Sequence, residues 1–229
     1  MMTLLNSNFE EGLLKNPDKP LEEFKYSIGK MGKSGALFDI VKLNDISKTF
    51  MATMDEGGMY EFMKTWTDEF GTDEQKVYFA DKDYLLKVLA LCMGVGGKKR
   101  RKDFVCAKQA VEMISYFFDS SFAPAYAYRF DNAVVKTVLQ GFKSVYCATD
   151  DNSAWFEKVK TVAAENGFAT DMKAYKANPE NYPGNVSDIA EMLRVAVTGL
   201  TNTPDLCTIM QILGEEKTLA RLDRAISAL

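Results

Sequence analysis

The chain has 229 residues, 47% of them hydrophobic and 26% charged, and its formal net charge is −4. This length can bury one large core or two smaller ones, and the balance of residue types is that of an ordinary globular protein. The acidic charge excludes a general basic coat for nucleic acid, and the absence of histidine removes the commonest general base and metal ligand.

The cysteines and the apolar runs narrow the class further. Four cysteines lie far apart without a CxxC pair: Cys92, Cys106, Cys147 and Cys207. This spacing argues against a zinc site and a disulfide framework, so we expect no metal and thiols that are free and buried or half-buried. No apolar run approaches the ~20 residues of a membrane span, and acidic residues stand where a signal peptide would be basic. We expect a cytoplasmic protein without a membrane partner.

The first motif along the chain is KMGKS, at residues 30–34. It resembles the nucleotide-handling loop of class I aminoacyl-tRNA synthetases and contains the GKS of a P-loop. A P-loop also needs a glycine at position 27, where Ser27 stands, and a preceding hydrophobic strand. The synthetase loop would need a histidine-containing ATP signature and a Rossmann sheet. We interpret the motif as a polar loop and assign no catalytic residue.

Hydrophobic periodicity predicts helices along most of the chain. Residues 59–71 and 81–94 place apolar side chains on one helical stripe, and the second run ends at Gly94. Further helices are expected within 108–122 and 129–146, separated by Pro124. Strand-like alternation is missing from these runs, and the prediction is an all-α protein.

Two segments interrupt this pattern. Residues 98–102 are five consecutive cations that follow a glycine pair, and residues 172–185 contain two prolines and several asparagines. The first segment predicts a local positive patch, whose alternative interpretation is a solvated charge cluster. The second is typical of an irregular connection.

Helix signals are clearest in the last third of the sequence. Either Asn185 or Ser187 can cap a helix that ends at Gly199. Thr203 is then predicted as the next N-cap, with Pro204 at the first helical position and Asp205 facing the positive end of the helix dipole. That helix stops at Gly214, and the last one is expected to bury a stripe of Leu219, Leu222, Ile226 and Leu229.

Three longer stretches carry a family resemblance. Residues 33–48 (KSGALFDIVKLNDISK), 96–119, and 193–229 with LRVAVTG, TPDL, ILGEE and RLDRA resemble the C-terminal region of bacterial glutamyl-tRNA synthetases. The resemblance implies two consecutive helical bundle subdomains of the α-helical cage type that binds anticodons. We expect a short helical remnant of the stem-contact region at 1–50 and the two subdomains at 51–122 and 123–229.

The resemblance also implies a function. The parent ligase would be monomeric, would activate glutamate with ATP and Mg, and would attach it to tRNA(Glu). Its Rossmann domain is expected before residue 1, so this chain would hold no cofactor. It would bind the anticodon loop of tRNA(Glu) and not DNA. The alternative is a non-catalytic helical protein-interaction module derived from a synthetase.

The family pattern selects a base-reading arginine in the cation cluster. Alignment of RRKD with the family element places Arg101 against the cytosine at the third anticodon position, with Arg100 as the second choice. A guanidinium fork suits the O2 and N3 acceptors of cytosine. Backbone contacts are expected from the neighbouring lysines and from a helix that faces the inner corner of the tRNA: Lys98, Lys99, Lys102, Lys42 and Asn44.

The C-terminal subdomain supplies the other expected contacts. Within LRVA and TPDL, the family pattern selects Arg194, Thr203, Pro204 and Leu206 for the anticodon. Two of these residues also have structural interpretations, since Arg194 could make a salt bridge at the edge of the core and Thr203 could cap a helix. A capped helix start also presents backbone N–H groups to a nucleotide.

Overall fold

The computed structural model describes residues 39–97 and 99–229, together with residues 12, 15, 16, 23–25, 27 and 29. Lys98 and the KMGKS motif at 30–34 lie outside the described residues. Within the described ranges the regular structure is helical, apart from an isolated bridge that pairs Ala169 with Asn185. The prediction of an all-α fold is confirmed.

In the first half, residues 39–97 and 99–122 contain five helices and a short 3-10 turn. They are α1 (Ile40–Met51), α2 (Glu56–Phe70), α3 (Asp73–Val77), α4 (Lys82–Met93), α5 (Ala107–Met113) and the 3-10 turn Ser115–Phe117. Side-chain oxygens of Asp39, Asp55 and Asp81 accept from free N–H groups at the starts of α1, α2 and α4. Helix α4 ends as predicted at Gly94, whose φ of 66° lies in the left-handed region that favours glycine.

The second half contains six helices and another 3-10 turn. They are α6 (Asn132–Val145), α7 (Asn152–Glu165), α8 (Met172–Ala177), the 3-10 turn Pro179–Asn181, α9 (Val186–Thr198), α10 (Leu206–Leu213) and α11 (Glu215–Ser227). Asn185 is the N-cap of α9, and it forms a capping box with Asp188.

Each half packs its helices around buried apolar side chains. Helix α2 contacts α4 and α5, and α9 contacts α6, α7 and α11. The fully buried side chains include Met59, Met63, Leu85 and Leu89 in the first half, and Val135, Leu139, Ile189 and Leu193 in the second. Helix α10 also contacts α4, so the two halves share one continuous core. The domain boundaries at 50 and 122 stay a prediction.

Residues 123–130 connect the halves as an extended segment, APAYAYRF. Tyr126, Tyr128 and Phe130 are half-buried and pack against the core, while the alternate residues are exposed. Pro124 lies against the end of α9, where a Cβ at Gly199 would be 2.9 Å from the proline Cβ. Gly199 also has a φ of 74°, so backbone conformation and the close approach both require glycine there.

Several predicted local features are corrected. Residues 108–122 are not one helix, since α5 ends at Met113 and a 3-10 turn follows. The irregular segment 172–185 contains the short helix α8. Asp205, not Thr203, is the N-cap of α10, and Leu206 is the first helical residue instead of Pro204.

The stripe predicted on the last helix is also corrected. Leu222 is fully buried, but the other three predicted positions are only half-buried. The buried face of α11 instead includes Thr218, Arg221 and Ala225. The predicted aliphatic side chains pack against the core, and the structure adds a buried arginine to their helix.

None of the helices in the described ranges has the length and apolar character needed to cross a bilayer.

Candidate functional site

A groove of about 610 Å³ lies where the two halves of the chain meet. From the first half, the groove is lined by α5, the 3-10 turn and the loop that contains residues 99–103, called here the cation loop. From the second half, it is lined by the end of α9 and the turn before α10. The residues on which the argument depends are Lys48, Arg101, Asp103, Tyr116, Thr203 and Pro204. Arg101 and the Thr203–Pro204 turn, which lie about 100 positions apart in the sequence, thus line the same groove.

The backbone of the cation loop holds Arg101 in place. The N–H of Arg101 donates to the carbonyl of Met93 at 3.0 Å, and the left-handed Gly94 lets the chain fold back over Arg101. The Arg101 Nε pairs with an Asp103 carboxylate oxygen at 2.7 Å. Among the described residues nothing else accepts from this guanidinium, so both Nη groups are left for a ligand. The side chains of both partners are 38% exposed.

Arg100 has a different environment. Its Nε donates to the carbonyl of Ala52 at 3.2 Å, and its Nη2 donates to the carbonyl of Met54. These bonds hold the cation loop against the segment between α1 and α2. Because the guanidinium is engaged by backbone carbonyls, the geometry favours Arg101 over Arg100 as the arginine that faces a ligand.

The predicted lysines Lys42, Lys99 and Lys102 are not among the residues that line the groove. Lys99 and Lys102 are exposed, and the Lys102 ammonium donates to the Thr49 hydroxyl at 3.2 Å. Lys42 and Asn44 are half-buried on α1. Lys48, also on α1, lines the groove itself, although the sequence analysis did not select it.

Arg194 lies behind the groove and supports its wall. It is half-buried, and its Nε donates to the hydroxyl of Thr203 at 3.0 Å, while that hydroxyl donates to the carbonyl of Pro204 at the same distance. Burial lowers the pKa of the Arg194 guanidinium, against the opposing effect of the carboxylates of Asp205 and Glu191. Arg194 therefore reaches the groove through Thr203 and not with its own side chain.

Leu206 does not line the groove. Its side chain is 2% exposed and belongs to the hydrophobic core. The structure gives it a packing role for α10, and its contact with the anticodon stays a prediction.

The floor of the groove is aromatic and uncharged. Phe104, Tyr116 and Phe122 line it and are 5–7% exposed. Burial raises the pKa of the Tyr116 hydroxyl and raises that of the neighbouring Cys92 thiol to about 12, so both groups are neutral at physiological pH. The charged side chains of the lining include Arg101, which is paired with Asp103, together with Lys48 and Glu112. The arrangement suits a planar ligand edge that is rich in acceptors.

Within the described part of the chain, the cysteines and acidic side chains do not form a candidate metal centre. In the described ranges no group of three or more carboxylate or thiol side chains could hold a metal ion. The four cysteines are free thiols, of which Cys106 is exposed instead of buried as expected.

Arg221, like Lys48, is a functional candidate that sequence reasoning missed. It is 3% exposed, and its guanidinium hydrogen-bonds to residues on both sides of the groove. The signal was its place in the RLDRA motif, which identified the family but assigned the arginine no role.

Known proteins that are similar to this chain include tRNA ligases and a family of anticodon-binding domains. The model of a family described as "Anticodon binding domain" matches residues 180–226. Over 99% of its length the chain is 41% identical to a glutamate–tRNA ligase of Acetivibrio thermocellus and covers 41% of that protein. It is 38% identical over 97% of its length to a glutamate–tRNA ligase of Clostridium perfringens and again covers 41% of it.

A solved structure of low identity supports the fold. The crystal structure of a glutamate tRNA ligase from Elizabethkingia meningosepticum in complex with its amino acid matches 90% of this chain and 36% of its own chain, with a TM-score of 0.55 and 16% identity.

The extent of these matches is informative in itself. The chain spans about two fifths of the length of the curated relatives that it matches. The alignment covers the C-terminal part of those ligases and not the part that contains their catalytic domain. The resemblance predicted from the sequence is confirmed.

Proposed function

We propose that this chain, which is homologous to the C-terminal part of glutamate–tRNA ligases, binds the anticodon loop of tRNA(Glu). The observation that carries the proposal is the shared groove, which Arg101 and the Thr203–Pro204 turn line from opposite halves of the chain. Anticodon bases are unstacked, and proteins read such bases by enclosing them and bonding their Watson–Crick edges.

Base recognition would depend on the side chains that point into the groove. The two Nη groups of Arg101 supply donors for the O2 and N3 acceptors of cytosine at the third anticodon position. The buried aromatic floor supplies apolar contacts to the ring of the base. Thr203, held by Arg194 at 3.0 Å, fixes the opposite wall.

Phosphate contacts would come from the lysines near Arg101 and from Lys48. Lys99 and Lys102 are exposed in the same loop as Arg101, and Lys48 lines the groove from α1. The remaining charge of the chain is acidic, so RNA would be attracted to this patch and repelled elsewhere. We further propose that the parent ligase is a cytoplasmic monomer that activates glutamate with ATP and attaches it to tRNA(Glu).

A second candidate function rests on a separate surface. Helix α2 exposes Phe62 and Phe70, which are 41% and 63% exposed, with half-buried Trp66 between them at helical spacing. An exposed aromatic stripe of this kind is typical of a protein-binding surface, which favours the alternative of a helical interaction module.

A salt titration distinguishes the two functions. The full chain is titrated with an RNA hairpin of the tRNA(Glu) anticodon stem-loop at several salt concentrations. If lysines of the chain neutralise RNA phosphates, the logarithm of the association constant falls linearly with the logarithm of the salt concentration. The slope is then about −0.7 to −0.9 for each phosphate contacted. Absence of binding at low salt, or binding that salt does not weaken, would contradict the RNA function.

A further inference from the structure

Arg221 on α11 is a buried charge with bonds in several directions. Its Nη1 donates to the carbonyl of Tyr116 at 2.7 Å and to that of Val197 at 2.8 Å, and its Nη2 donates to a carboxylate oxygen of Asp119 at 2.8 Å. The guanidinium carbon lies 3.9 Å from the centre of the Phe122 ring. These four partners belong to the two segments that form the walls of the groove.

The bonds of Arg221 connect one wall to the other. Tyr116 and Phe122 line the groove from the first half, and Val197 immediately precedes Thr198 and Gly199, which line it from the second. A single Nη1 therefore joins the backbones of both walls from behind the floor. Arg224, one turn further along α11, adds a bond of 3.0 Å to the carbonyl of Phe122.

Packing alone does not account for an arginine at this position. An enclosed guanidinium is costly to desolvate, its Nε has no hydrogen-bond partner, and its carboxylate partner Asp119 is 54% exposed. An apolar side chain would fill the space more cheaply, but it could not form directional bonds to carbonyls in two segments. A planar guanidinium with five donors is suited to that task.

We propose that Arg221 is a positioning residue that sets the separation of the two groove walls, and with it the distance between Arg101 and the Thr203–Pro204 turn. The role of Arg221 in setting the wall separation depends only on its contacts with Tyr116, Val197, Asp119 and Phe122. The consequence for base selection rests on the proposed function, since it requires that a base occupies the groove.

The wall separation can be measured without RNA. Spin labels are attached to Glu112→Cys and Asn202→Cys, two exposed residues of opposite walls, after the accessible native thiols are removed by Cys106→Ser and Cys147→Ser. Electron–electron resonance then compares Arg221→Met and Arg221→Lys with the unchanged arginine. The matched control is Lys217→Met on the same helix, which also loses an ion pair with Asp119 but keeps the bonds of Arg221 to the carbonyls of Tyr116 and Val197.

We expect a shifted or broadened distance distribution for both Arg221 variants and an unchanged one for the Lys217 control. Lysine keeps the charge, but its ammonium sits on a flexible stem and lacks the rigid planar fork that holds donors towards both walls and Asp119 together, so this variant also serves if the methionine variant fails to fold. A distribution for Arg221→Lys that matches the unchanged arginine would overturn the inference, whatever the chain binds.

Binding selectivity provides the second readout. Dissociation constants are measured for two anticodon stem-loops, one with cytosine and one with adenine at the third position. If a variant only lowers the fraction of folded protein, the apparent dissociation constants of both RNAs rise by the same factor. If it displaces a groove wall, the ratio of the two dissociation constants changes. We expect the roughly tenfold or greater discrimination of one good base contact to fall towards onefold in Arg221→Lys.

The outcomes separate the two proposals. An unchanged ratio in a variant with displaced walls would overturn the role in base selection. If the unchanged chain binds neither RNA, the proposed function fails, and the spin-label distances still decide whether Arg221 sets the wall separation.

Discussion

The Nε of Arg194 donates to the hydroxyl of Thr203 at 3.0 Å, and this bond joins the last part of α9 to the turn that precedes α10. Thr198, four residues after Arg194, donates to the Arg194 carbonyl at 2.7 Å and accepts from the N–H of Leu200 at 3.2 Å. The wall formed by the second half is therefore held by side chains on α9, and each of its bonds can be tested.

Thr203→Val keeps the shape of the side chain and removes the acceptor for Arg194. A lost hydrogen bond to a charged group lowers the free energy of unfolding by about 1.5–3 kcal/mol, which urea denaturation measures as a lower midpoint. Thr201→Val is the matched control, since Thr201 is an exposed residue of the same turn. Equal midpoints for the two variants would contradict a supporting role for this bond.

Arg101→Ala removes the donors that we assign to the third anticodon base. Binding to the cognate stem-loop should weaken by about 1–3 kcal/mol, and discrimination at that base should relax. In the control, Lys99→Ala, the exposed ammonium is expected to contact phosphate, so both RNAs should weaken alike and the salt slope should decrease by about 1. If Arg101→Ala also weakens both RNAs equally, Arg101 contacts phosphate and does not read the base.

Arg100→Met separates the two adjacent arginines of the cluster. The change removes the donors to the carbonyls of Ala52 and Met54 and keeps most of the apolar stem. Unfolding should become easier by about 1–3 kcal/mol, while the ratio of dissociation constants for the two RNAs stays the same. The opposite result, an unchanged unfolding midpoint with lost discrimination, would transfer the base-reading role from Arg101 to Arg100.

Asp119→Asn tests the contribution of the Asp119 charge, which pairs with Arg221 and Lys217 on α11. Partial burial by itself raises the pKa of the Asp119 carboxyl, but the hydrogen bond and charge of Arg221 and the charge of Lys217 hold it below its ordinary value of 3.8. A folded-state pKa below the unfolded one stabilises the protein above about pH 4, and this stability is lost as the pH falls further.

The asparagine variant should therefore be less stable than the unchanged chain at pH 7, and the difference should shrink below pH 4. Urea midpoints at pH 7 and pH 3 measure both differences. A deficit that is equally large at pH 3 would show that the carboxylate charge is not its cause.

Local signals in the sequence were sufficient for the ends of the longer helices. Helix α9 begins with the Asn185–Asp188 capping box, and α4 and α9 end at the left-handed glycines 94 and 199. Each of these signals acts within about one helical turn, so it can be predicted from the spacing of residues in the sequence. The confirmed family resemblance then gave the region its expected role.

Signals that depend on distant partners were misread. Thr203 before Pro204 is a typical helix start, but its hydroxyl bonds Arg194 and the carbonyl of Pro204, so the cap moves to Asp205. Arg221 lies among charged residues that suggest a solvated surface, and it is buried because its acceptors come from another part of the chain. Neither contact has a local sequence signature.

The separation in sequence between Arg221 and its partners has a consequence for synthesis. Tyr116 lies 105 residues before the arginine that bonds its carbonyl, and Asp119 lies 102 residues before it. During translation the helices of the first half can pack before Arg221 has been synthesised, because local contacts form before distant ones. Until then, the Tyr116 carbonyl and the Asp119 carboxylate lack the hydrogen bonds that Arg221 donates. Arg221 can therefore join the two walls of the groove only after synthesis has passed α11, later than the contacts that form within the first half.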